Sequence, residues 1–296
     1  MNTKSIKHFF NKVVIKLSPI IPSDELYIRL KWMATMDYKL NLKSPRTFNE
    51  KVNWLKIHDR RPEYITMVDK VAVKDYVKTL IGEKYIIPTL AVWSRVEDID
   101  YDSLPEQFVL KTNHDSGGVV VCRDKKTFNK VRAQEILHKS LKTDYYLQSR
   151  EYPYKHLSRK VFAEQYLEDK KYGELRDYKF FCFDGEVKAL FVATGRMNSN
   201  SETKFDFFDS DYKHLDIING HPNAINTPEK PICFEEMKMI ASELSKGIPC
   251  VRVDLYEVEG RIYFGELTFS HWGGFTPFQP ESWDYTFGSW IKLPKL

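Results

Sequence analysis

The sequence predicts an α+β protein in which a helical N-terminal segment precedes a longer region of strands and helices. Before residue 82 the apolar side chains recur at helical spacing, and after residue 85 short alternating runs predict strands. Several of these runs follow one another as antiparallel hairpins, which is typical of the α+β class. The predicted helices span about 4–17, 24–35, 47–57, 71–81, 127–141 and 235–247, and the predicted strands 85–93, 107–112, 118–123, 160–167, 177–185, 186–195, 250–260 and 261–269.

The composition excludes several classes of protein. The 296 residues are 42% hydrophobic and 29% charged, which is typical of a globular chain with a buried core. A net charge of +4 is too small a surplus for a nucleic-acid-binding protein. The four cysteines form no C-x-x-C pair, and no run approaches the roughly 18 apolar residues of a membrane span. We therefore expect a cytoplasmic protein with reduced cysteines, no zinc site and no nucleic-acid partner.

The first predicted helix is amphipathic and basic. Residues 4–17 place four lysines and six apolar side chains at helical spacing, and Pro19 and Pro22 end the helix. One interpretation is a helix that packs on the body of the protein. The other is that residues 1–22 contact an anionic membrane surface, which would make the protein peripheral at the inner membrane face.

Three capping signals mark helix ends in this region. Asp24 is placed to cap the second helix. Thr47 and Glu50 form the T-x-x-E pattern of a capping box. Gly82 is placed to end the fourth helix.

The most informative segment is the hairpin at 250–269, with a loop predicted at Glu259-Gly260-Arg261. A single register along the hairpin places Asp254 opposite Glu266 and Arg252 opposite Thr268. Two opposed carboxylates repel each other unless a cation lies between them. Mg²⁺ would be such a cation, because it binds carboxylate oxygens and leaves positions for phosphate. The alternative is that Arg252 and neighbouring lysines neutralise the pair.

A second segment has the composition of a phosphate site. Lys111 ends an apolar strand, and the loop 115–118 that follows contains Ser116 and Gly117. Such a loop can present backbone N–H groups to phosphate oxygens, although most loops of this kind are plain hairpin turns. Lys70 and Lys179 are two further candidate cations, and a solvent-facing lysine at 179 would be unremarkable.

Taken in order, these residues resemble the ATP-grasp enzymes, and in detail the TupA-like branch found among polysaccharide-biosynthesis proteins. The resemblance covers roughly residues 25–293. The segments that carry it are SPRTFNEKVNWLK, FVLKTNHDSGG, DYKFFCFDG, VRVDLY and FGELTF.

The resemblance implies an ATP-grasp fold, in which two α+β lobes grip ATP. The expected organisation is a helical N-terminal segment over 1–68, a first lobe over 69–165 and a second lobe over 166–296. The implied activity is Mg-ATP-dependent formation of an amide bond between a sugar carboxylate, such as that of a uronic acid, and an amine or amino acid. The reaction would run through an acyl phosphate, in capsule or exopolysaccharide biosynthesis.

The resemblance also assigns roles to single residues. Arg252 would stabilise the phosphorylated intermediate, and Glu168, Asp169 or Glu174 would hold the ribose. The family has Asn where this chain has Thr268, and a hydroxyl is a weaker ligand, so the resemblance leaves open whether one or two Mg²⁺ ions bind. The remaining assignments are ATP phosphates for Lys70 and Lys111, adenine for Glu164, Gln165, Tyr166 and Leu167, and Mg²⁺ for Asp254, Glu266 and Thr268. Ser116, Gly117 and Lys179 stay candidates for the same nucleotide on their own composition.

Three residues are candidates for contact with the saccharide acceptor or the amine donor. His271 and Trp272 directly follow the hairpin, where the imidazole would orient an acceptor and the indole would stack on a sugar ring. Arg196 ends a strand and would pair with a substrate carboxylate. Each also has a plainer interpretation: a satisfied loop histidine, a core tryptophan and a solvated surface arginine.

Two other functions fit parts of the sequence. A glycosyltransferase would use acidic residues and a metal ion on a nucleotide-sugar, and a D-x-D pattern occurs at 209–211. A non-catalytic partner in polysaccharide assembly would keep only the fold. Turnover of ATP distinguishes the ligase from both.

Overall fold

The computed structural model describes residues 3–195 and 202–295. The helices are α1 (Thr3–Leu17), α2 (Asp24–Thr35), α3 (Phe48–His58), α4 (Glu63–Val68), α5 (Val73–Ile81), α6 (Lys130–Lys142), α7 (Tyr145–Ser149), α8 (Phe234–Ser245) and α9 (Ser282–Trp290). Helices α1 to α5 precede the first strand, and helices cover faces of both sheets.

Within residues 3–195 and 202–295, ten strands form two antiparallel sheets, which confirms the α+β class. The smaller sheet has the order β1-β4-β2-β3 and the larger has the order β10-β9-β5-β6-β7-β8. The strands are β1 (Thr89–Trp93), β2 (Phe108–Thr112), β3 (Val119–Cys122), β4 (Val161–Gln165), β5 (Asp177–Phe183), β6 (Glu186–Thr194), β7 (Lys204–Asp209), β8 (His214–Leu215), β9 (Val251–Val258) and β10 (Arg261–Thr268).

The larger sheet is covered on both faces, which explains why all seven residues of its central strand β5 are buried. Successive side chains of a strand point to opposite faces. Phe180 accordingly packs in a core with α4, α5 and α8, while Phe181 packs in a second core with α2, α3 and α9. The segment before β1 thus packs on the larger sheet, and the lobe boundary at residue 69 stays a prediction.

The smaller sheet is covered on one face. Phe108 and Leu110 of β2 pack with Leu137 of α6 in a third core. The alternate residues Val109 and Lys111 point to the other face, which lines a cleft between the two sheets. The period of two along β2 therefore decides which side chains reach that cleft.

Two of the three predicted helix caps are confirmed. Thr47 and Glu50 form the capping box at the start of α3, and Gly82 follows the end of α5 with a φ of 99°. The prediction for α2 was wrong by one residue. Ser23 is the cap, its hydroxyl accepting from Leu26 N, and Asp24 is the first helical residue.

Helix α1 packs on α2 through one face only. Val14 is buried, and Lys7 Nζ donates to Met36 O at 2.9 Å and to the Asp37 carboxylate. On the other face, Phe9 is 63% exposed. Packing on the body of the protein is confirmed for the first face, while membrane contact by the second stays a prediction. Among the described helices, none has the length and apolar character needed to span a bilayer.

Helix α9 docks closely on the start of α3. The Asp284 carboxylate accepts from Asn49 N at 3.0 Å, from Asn49 Nδ2 at 2.9 Å and from Tyr38 Oη at 2.7 Å. One turn later the backbone of Gly288 lies against Arg46 and Thr47, so that an added Cβ would be 2.3 Å from Arg46 O.

We expect Gly288→Ala to destabilise the protein by about 1–3 kcal/mol or more, because the methyl group must push backbone atoms apart. Urea denaturation of the purified variant measures this. Ser289→Ala, at the exposed neighbouring position, is the control and should change the free energy of unfolding little. A Gly288→Ala protein as stable as the wild type would contradict the close docking of α9.

Candidate functional site

The β9–β10 hairpin pairs Asp254 with Glu266 and Arg252 with Thr268, as predicted. The single register along the whole hairpin was wrong. A bulge between Phe264 and Glu266 shifts the outer half by one residue. The turn is also shorter than predicted, with only Glu259 and Gly260 at its tip, at φ values of 50° and 76°. Two consecutive positive φ angles are what a two-residue hairpin turn requires.

Asp254 lies at the centre of a buried ion cluster. Its carboxylate accepts from Arg252 Nε at 2.7 Å and Arg252 Nη2 at 2.8 Å, and it also contacts Lys179 Nζ. Glu266 pairs with Lys70 at 2.9 Å and lies 3.5 Å from Arg252. The repulsion expected between the two carboxylates is therefore offset by protein cations, which is the arrangement the alternative interpretation describes. Burial alone would raise the pKa of Glu266, but Lys70, Lys179 and Arg252 hold it well below its usual range.

Arg252 is held on three sides. Besides its two bonds to Asp254, Nη2 donates to Thr268 Oγ1 at 3.0 Å and Nη1 donates to His271 Nδ1 at 2.7 Å. A guanidinium has five N–H groups. Counting partners within the described residues, four are used, which leaves one N–H of Nη1. Arg252 is among the residues that line a cavity.

His271 is a buried support for Arg252, and this corresponds to the plainer of its two interpretations. Because Nδ1 accepts from Arg252, the proton lies on Nε2, which donates to Asn219 Oδ1 at 2.9 Å. Burial and then the charge of Arg252 hold the pKa of the imidazole well below its usual range. The ring is therefore neutral and orients the guanidinium.

Lys111 belongs to a second ion cluster on the smaller sheet. Its ammonium contacts the buried carboxylate of Glu164, whose other oxygen is 2.6 Å from Lys74 Nζ. Burial alone would raise the pKa of Glu164, but Lys111 and Lys74 hold it below its ordinary value. Glu164 therefore fixes the Lys111 side chain against the face of the sheet.

The loop after β2 is closed by one carboxylate. Asp115 accepts from Thr112 Oγ1 at 2.6 Å, from Gly118 N at 3.0 Å and from Ser140 Oγ at 2.7 Å. Ser116 and Gly117, at its tip, are exposed, and of the two only Ser116 lines the cleft. The loop is thus a shaped turn with its tip directed at the cleft.

The segment after β4 links the two sheets. Gln165 N donates to Pro88 O at 3.0 Å, so this amide is not available to a bound base. Tyr166 Oη accepts from Arg123 Nε at 2.9 Å. Of the three carboxylates considered for a ribose, Glu174 accepts from Gly195 N and Asp169 accepts from Lys171 N. Glu168 is exposed and lines the cleft.

The cleft between the sheets contains a cavity of about 350 Å³. Its walls come from both sheets and from the linking segment, and the apolar part is suited to a flat ring. The apolar lining includes Ile87, Val109, Val119, Val121, Phe162, Leu167, Leu175 and Tyr256, and the charged lining comprises Lys70, Lys111, Asp115, Arg123, Glu164, Glu168, Glu174, Asp177, Lys179 and Glu266.

A second cavity, of about 450 Å³, adjoins the first. Lys70, Asp115, Ser116, Lys179 and Glu266 line both. The far wall is aromatic, and Trp272 in it is 42% exposed. The Trp272 ring stacks on the Phe205 ring with 6.1 Å between their centroids, and the centroid of the His221 ring lies 5.9 Å from that of Trp272. Trp272 is therefore not a core residue.

Two sequence candidates remain. Arg196 is outside the described residues. Asp209 accepts N–H bonds from Asp211 and Lys213, each at 2.9 Å, so the D-x-D pattern shapes the turn between β7 and β8. Neither aspartate lines the two cavities.

The family is decided by comparison with known proteins. A family model described as TupA-like ATPgrasp matches residues 50–292. The chain belongs to the TupA-like ATP-grasp family. This confirms the resemblance and the ATP-grasp fold expected from the sequence. No curated protein gives a significant match.

Solved structures similar to this TupA-like ATP-grasp protein are distant. D-alanine–D-alanine ligase from Bacillus anthracis is 18% identical, with 69% of this chain and 57% of that chain covered and a TM-score of 0.40. D-alanine–D-alanine ligase from Helicobacter pylori is 12% identical, with 83% of this chain and 69% of that chain covered and a TM-score of 0.45. N5-carboxyaminoimidazole synthetase from Staphylococcus aureus, complexed with ADP, is 13% identical, with 78% of this chain and 53% of that chain covered and a TM-score of 0.40. The chain thus spans little more than half the length of the first of these proteins.

Several residues of the site were not predicted from the sequence. Lys74 lies on α5 and gave no local signal, because a lysine on a helix is ordinary. Asn219, the support of His271, has no such signal because it is 52 residues away. Glu151 and Lys56, buried beside the second cavity, also gave no pattern that sets them apart.

We expect Asp254→Asn to destabilise the protein by about 3–5 kcal/mol, because Arg252 and Lys179 would lose a buried counter-charge. Urea denaturation without metal measures the change. Glu266→Gln is the matched comparison, and a smaller loss is expected because its side chain is 30% exposed, against 1% for Asp254. If Asp254 mainly repels Glu266, Asp254→Asn would instead be as stable as the wild type or more stable.

A pH dependence follows from the neutral His271. The folded protein resists protonation of this ring and the unfolded chain does not, so stability falls as pH drops below the ordinary histidine pKa of about 6.5. The slope should reach about 1.4 kcal/mol per pH unit for this one proton. In His271→Gln this part of the slope should disappear when free energies of unfolding are compared from pH 7.5 to 5.

The control for this experiment is His138→Gln, at a surface position where the side chain is 41% exposed. It should keep the wild-type slope. Burial also lowers the pKa of His114, which adds a slope of the same sign to all three proteins. Equal slopes in wild type and His271→Gln would show that His271 is not held neutral.

Proposed function

We propose that this protein is a Mg-ATP-dependent carboxylate–amine ligase. It would phosphorylate a sugar carboxylate, such as that of a uronic acid, and join it to an amine or amino acid during capsule or exopolysaccharide synthesis. The supporting observation is that two cavities meet at one ionic junction. The first would hold the nucleotide and the second the acceptor, with Lys70, Ser116, Lys179 and Glu266 between them.

The first cavity suits a nucleotide that carries a metal ion. Four cationic and six carboxylate side chains line it, so a bare triphosphate would meet a surplus of negative charge. Mg²⁺ bound to phosphate removes this conflict, and it typically uses only one or two protein carboxylates. Among the described residues no cluster of three or more His, Cys, Asp or Glu side chains could hold a metal ion by itself.

The residues that fit such an ion are Glu266, Asp254 and Thr268. Glu266 is the more accessible of the two carboxylates, since Asp254 is enclosed by Arg252 and Lys179. Bound Mg²⁺ would neutralise charge on the transferring phosphoryl group. The protein itself supplies Lys70 and Lys111 as point charges toward the phosphates.

The second cavity suits an anionic sugar. Trp272, Phe205 and His221 form an aromatic wall, and sugar rings stack on such surfaces through their C–H faces. The remaining Nη1 N–H of Arg252 can donate to a carboxylate or acyl phosphate oxygen there. Because Asp254, Thr268 and His271 hold the guanidinium in place, it needs no reorganisation when charge develops.

A glycosyltransferase is the alternative, and the D-x-D segment is the feature that would support it. Those aspartates are engaged in the β7–β8 turn and lie outside both cavities. A non-catalytic role would leave the two ion clusters without a purpose, although their retention costs desolvation energy. The ligase therefore explains more of the site.

We expect Mg-ATP to raise the melting temperature, since a ligand that binds only the folded state stabilises it. Lys111→Ala should weaken ATP binding by about tenfold to a hundredfold, the loss of one charge-assisted hydrogen bond. Lys74 still neutralises Glu164 in that variant, so the fold should persist. Lys188→Ala, on strand β6 outside the two cavities, is the matched control and should bind ATP normally.

Three outcomes distinguish the functions. ADP release that requires both a uronic-acid saccharide and an amine supports the ligase. A melting shift with UDP-sugars but not with ATP would favour the transferase. No response to either ligand would favour the non-catalytic role.

A further inference from the structure

Exposed apolar side chains are concentrated at the N-terminal end of the chain. Seventeen large hydrophobic residues are exposed in the described part of the protein, and six of them fall within the first 33 residues. These six are Ile6, Phe9, Leu17, Ile20, Leu26 and Met33. Single exposed apolar residues are ordinary, but such a cluster marks an interaction surface.

The exposed face of α1 is continuous with the short 3-10 helix Ser18–Ile20 that follows it. Ile6 is 51% exposed, Phe9 63%, Leu17 45% and Ile20 75%. Their spacing places them along one side of the helix, with the half-buried Val13 between them. The opposite side holds α1 on the protein through Val14 and Lys7. No part of the chain that the structure describes covers the apolar side, which can therefore bind a partner.

The charge of α1 indicates which partner. Residues 3–17 contain four lysines and no acidic residue. Lys12 and Lys16 are exposed beside the apolar side chains. A second copy of the helix would bring like charges together, whereas an anionic lipid surface attracts them and accepts the apolar side chains. We infer that α1 and the 3-10 helix Ser18–Ile20 dock this protein on an anionic membrane surface.

The docking surface is attached firmly to the wall of the second cavity. Arg150, buried and at a φ of 57°, donates to Ile21 O at 3.1 Å and Asp24 Oδ1 at 3.2 Å, and also to Ser18 O. Its neighbours Ser149 and Glu151 line that cavity. If the cavity holds the acceptor, as the proposed function states, docking would keep the acceptor site at a fixed position relative to the lipid surface.

Co-sedimentation of the full chain with vesicles tests the docking surface. One set contains phosphatidylcholine alone and the other contains phosphatidylglycerol and phosphatidylcholine at about 3:7. We expect the protein to bind the anionic vesicles at least about tenfold more tightly, and to be released by high salt.

Two double variants separate the apolar and ionic contributions. Phe9→Asp with Ile20→Asp should lower binding to anionic vesicles by about tenfold or more, through loss of buried apolar area. The control is Met239→Asp with Ile232→Asp, at positions 65% and 89% exposed elsewhere on the chain. It should bind like the wild type.

Lys12→Glu with Lys16→Glu should lower binding by about tenfold or more and remove its dependence on salt. The control is Lys139→Glu with Lys142→Glu. These exposed lysines lie near the end of α6, as Lys16 lies near the end of α1, so the effect on helix stability is matched.

Circular dichroism and the melting shift with Mg-ATP report whether each variant is folded, independently of vesicle binding. Equal binding of wild type to both vesicle types, or equal losses in variants and controls, would overturn the proposal. A dimer in light scattering that Phe9→Asp with Ile20→Asp dissociates, without vesicle binding, would assign the surface to a second copy. Should ATP produce no shift in any form, the proposed function fails, while the vesicle result still decides the docking surface.

Discussion

The arrangement of the site depends on the buried carboxylate of Asp254. Strand β9 runs between β5 and β10, so Asp254 faces Lys179 on one side and Glu266 on the other. It accepts from Arg252 through two N–H groups and also contacts Lys179. Without this carboxylate, two cations would remain buried without a full counter-charge, which proteins seldom tolerate. The Asp254 carboxylate therefore holds in place both Arg252, which lines the second cavity, and Lys179, which lines both cavities.

The alternation of side chains along β5 explains how a reactive site can lie against a packed core. Asp177, Lys179, Phe181 and Phe183 share one face of the strand. Phe181 and Phe183 pack with the helices of the second core, whereas Asp177 and Lys179 line the cleft. One face thus changes from aromatic to ionic within seven residues. The packed end keeps the ionic end in a fixed position, which favours electrostatic stabilisation of a developing charge.

The N-terminal helices also contribute to the second cavity. Lys56 of α3 is buried and donates to Ser149 O and Gly273 O, both at 2.7 Å. Burial holds the pKa of Lys56 well below its usual value and raises that of the neighbouring Glu151. Gly273 directly follows Trp272, so this lysine ties the aromatic wall to α3. The helical segment thereby positions the proposed acceptor site, and through Arg150 the same wall is joined to the 3-10 helix Ser18–Ile20 that follows α1.

The sequence alone determined the features that depend on neighbours in the chain. The capping box at Thr47, the end of α5 at Gly82 and the pairing of Asp254 with Glu266 follow from local hydrogen bonds and the strand period, which act over a few residues. The sequence could not reveal that a bulge at Gly265 shifts the register between that residue and the hairpin turn, because a bulge depends on how the two strands pack against their neighbours. Nor could it show that His271 is a buried support bonded to Asn219, or which face of α1 is free. Those facts depend on which distant segments the folded topology brings into contact, and no local pattern records that.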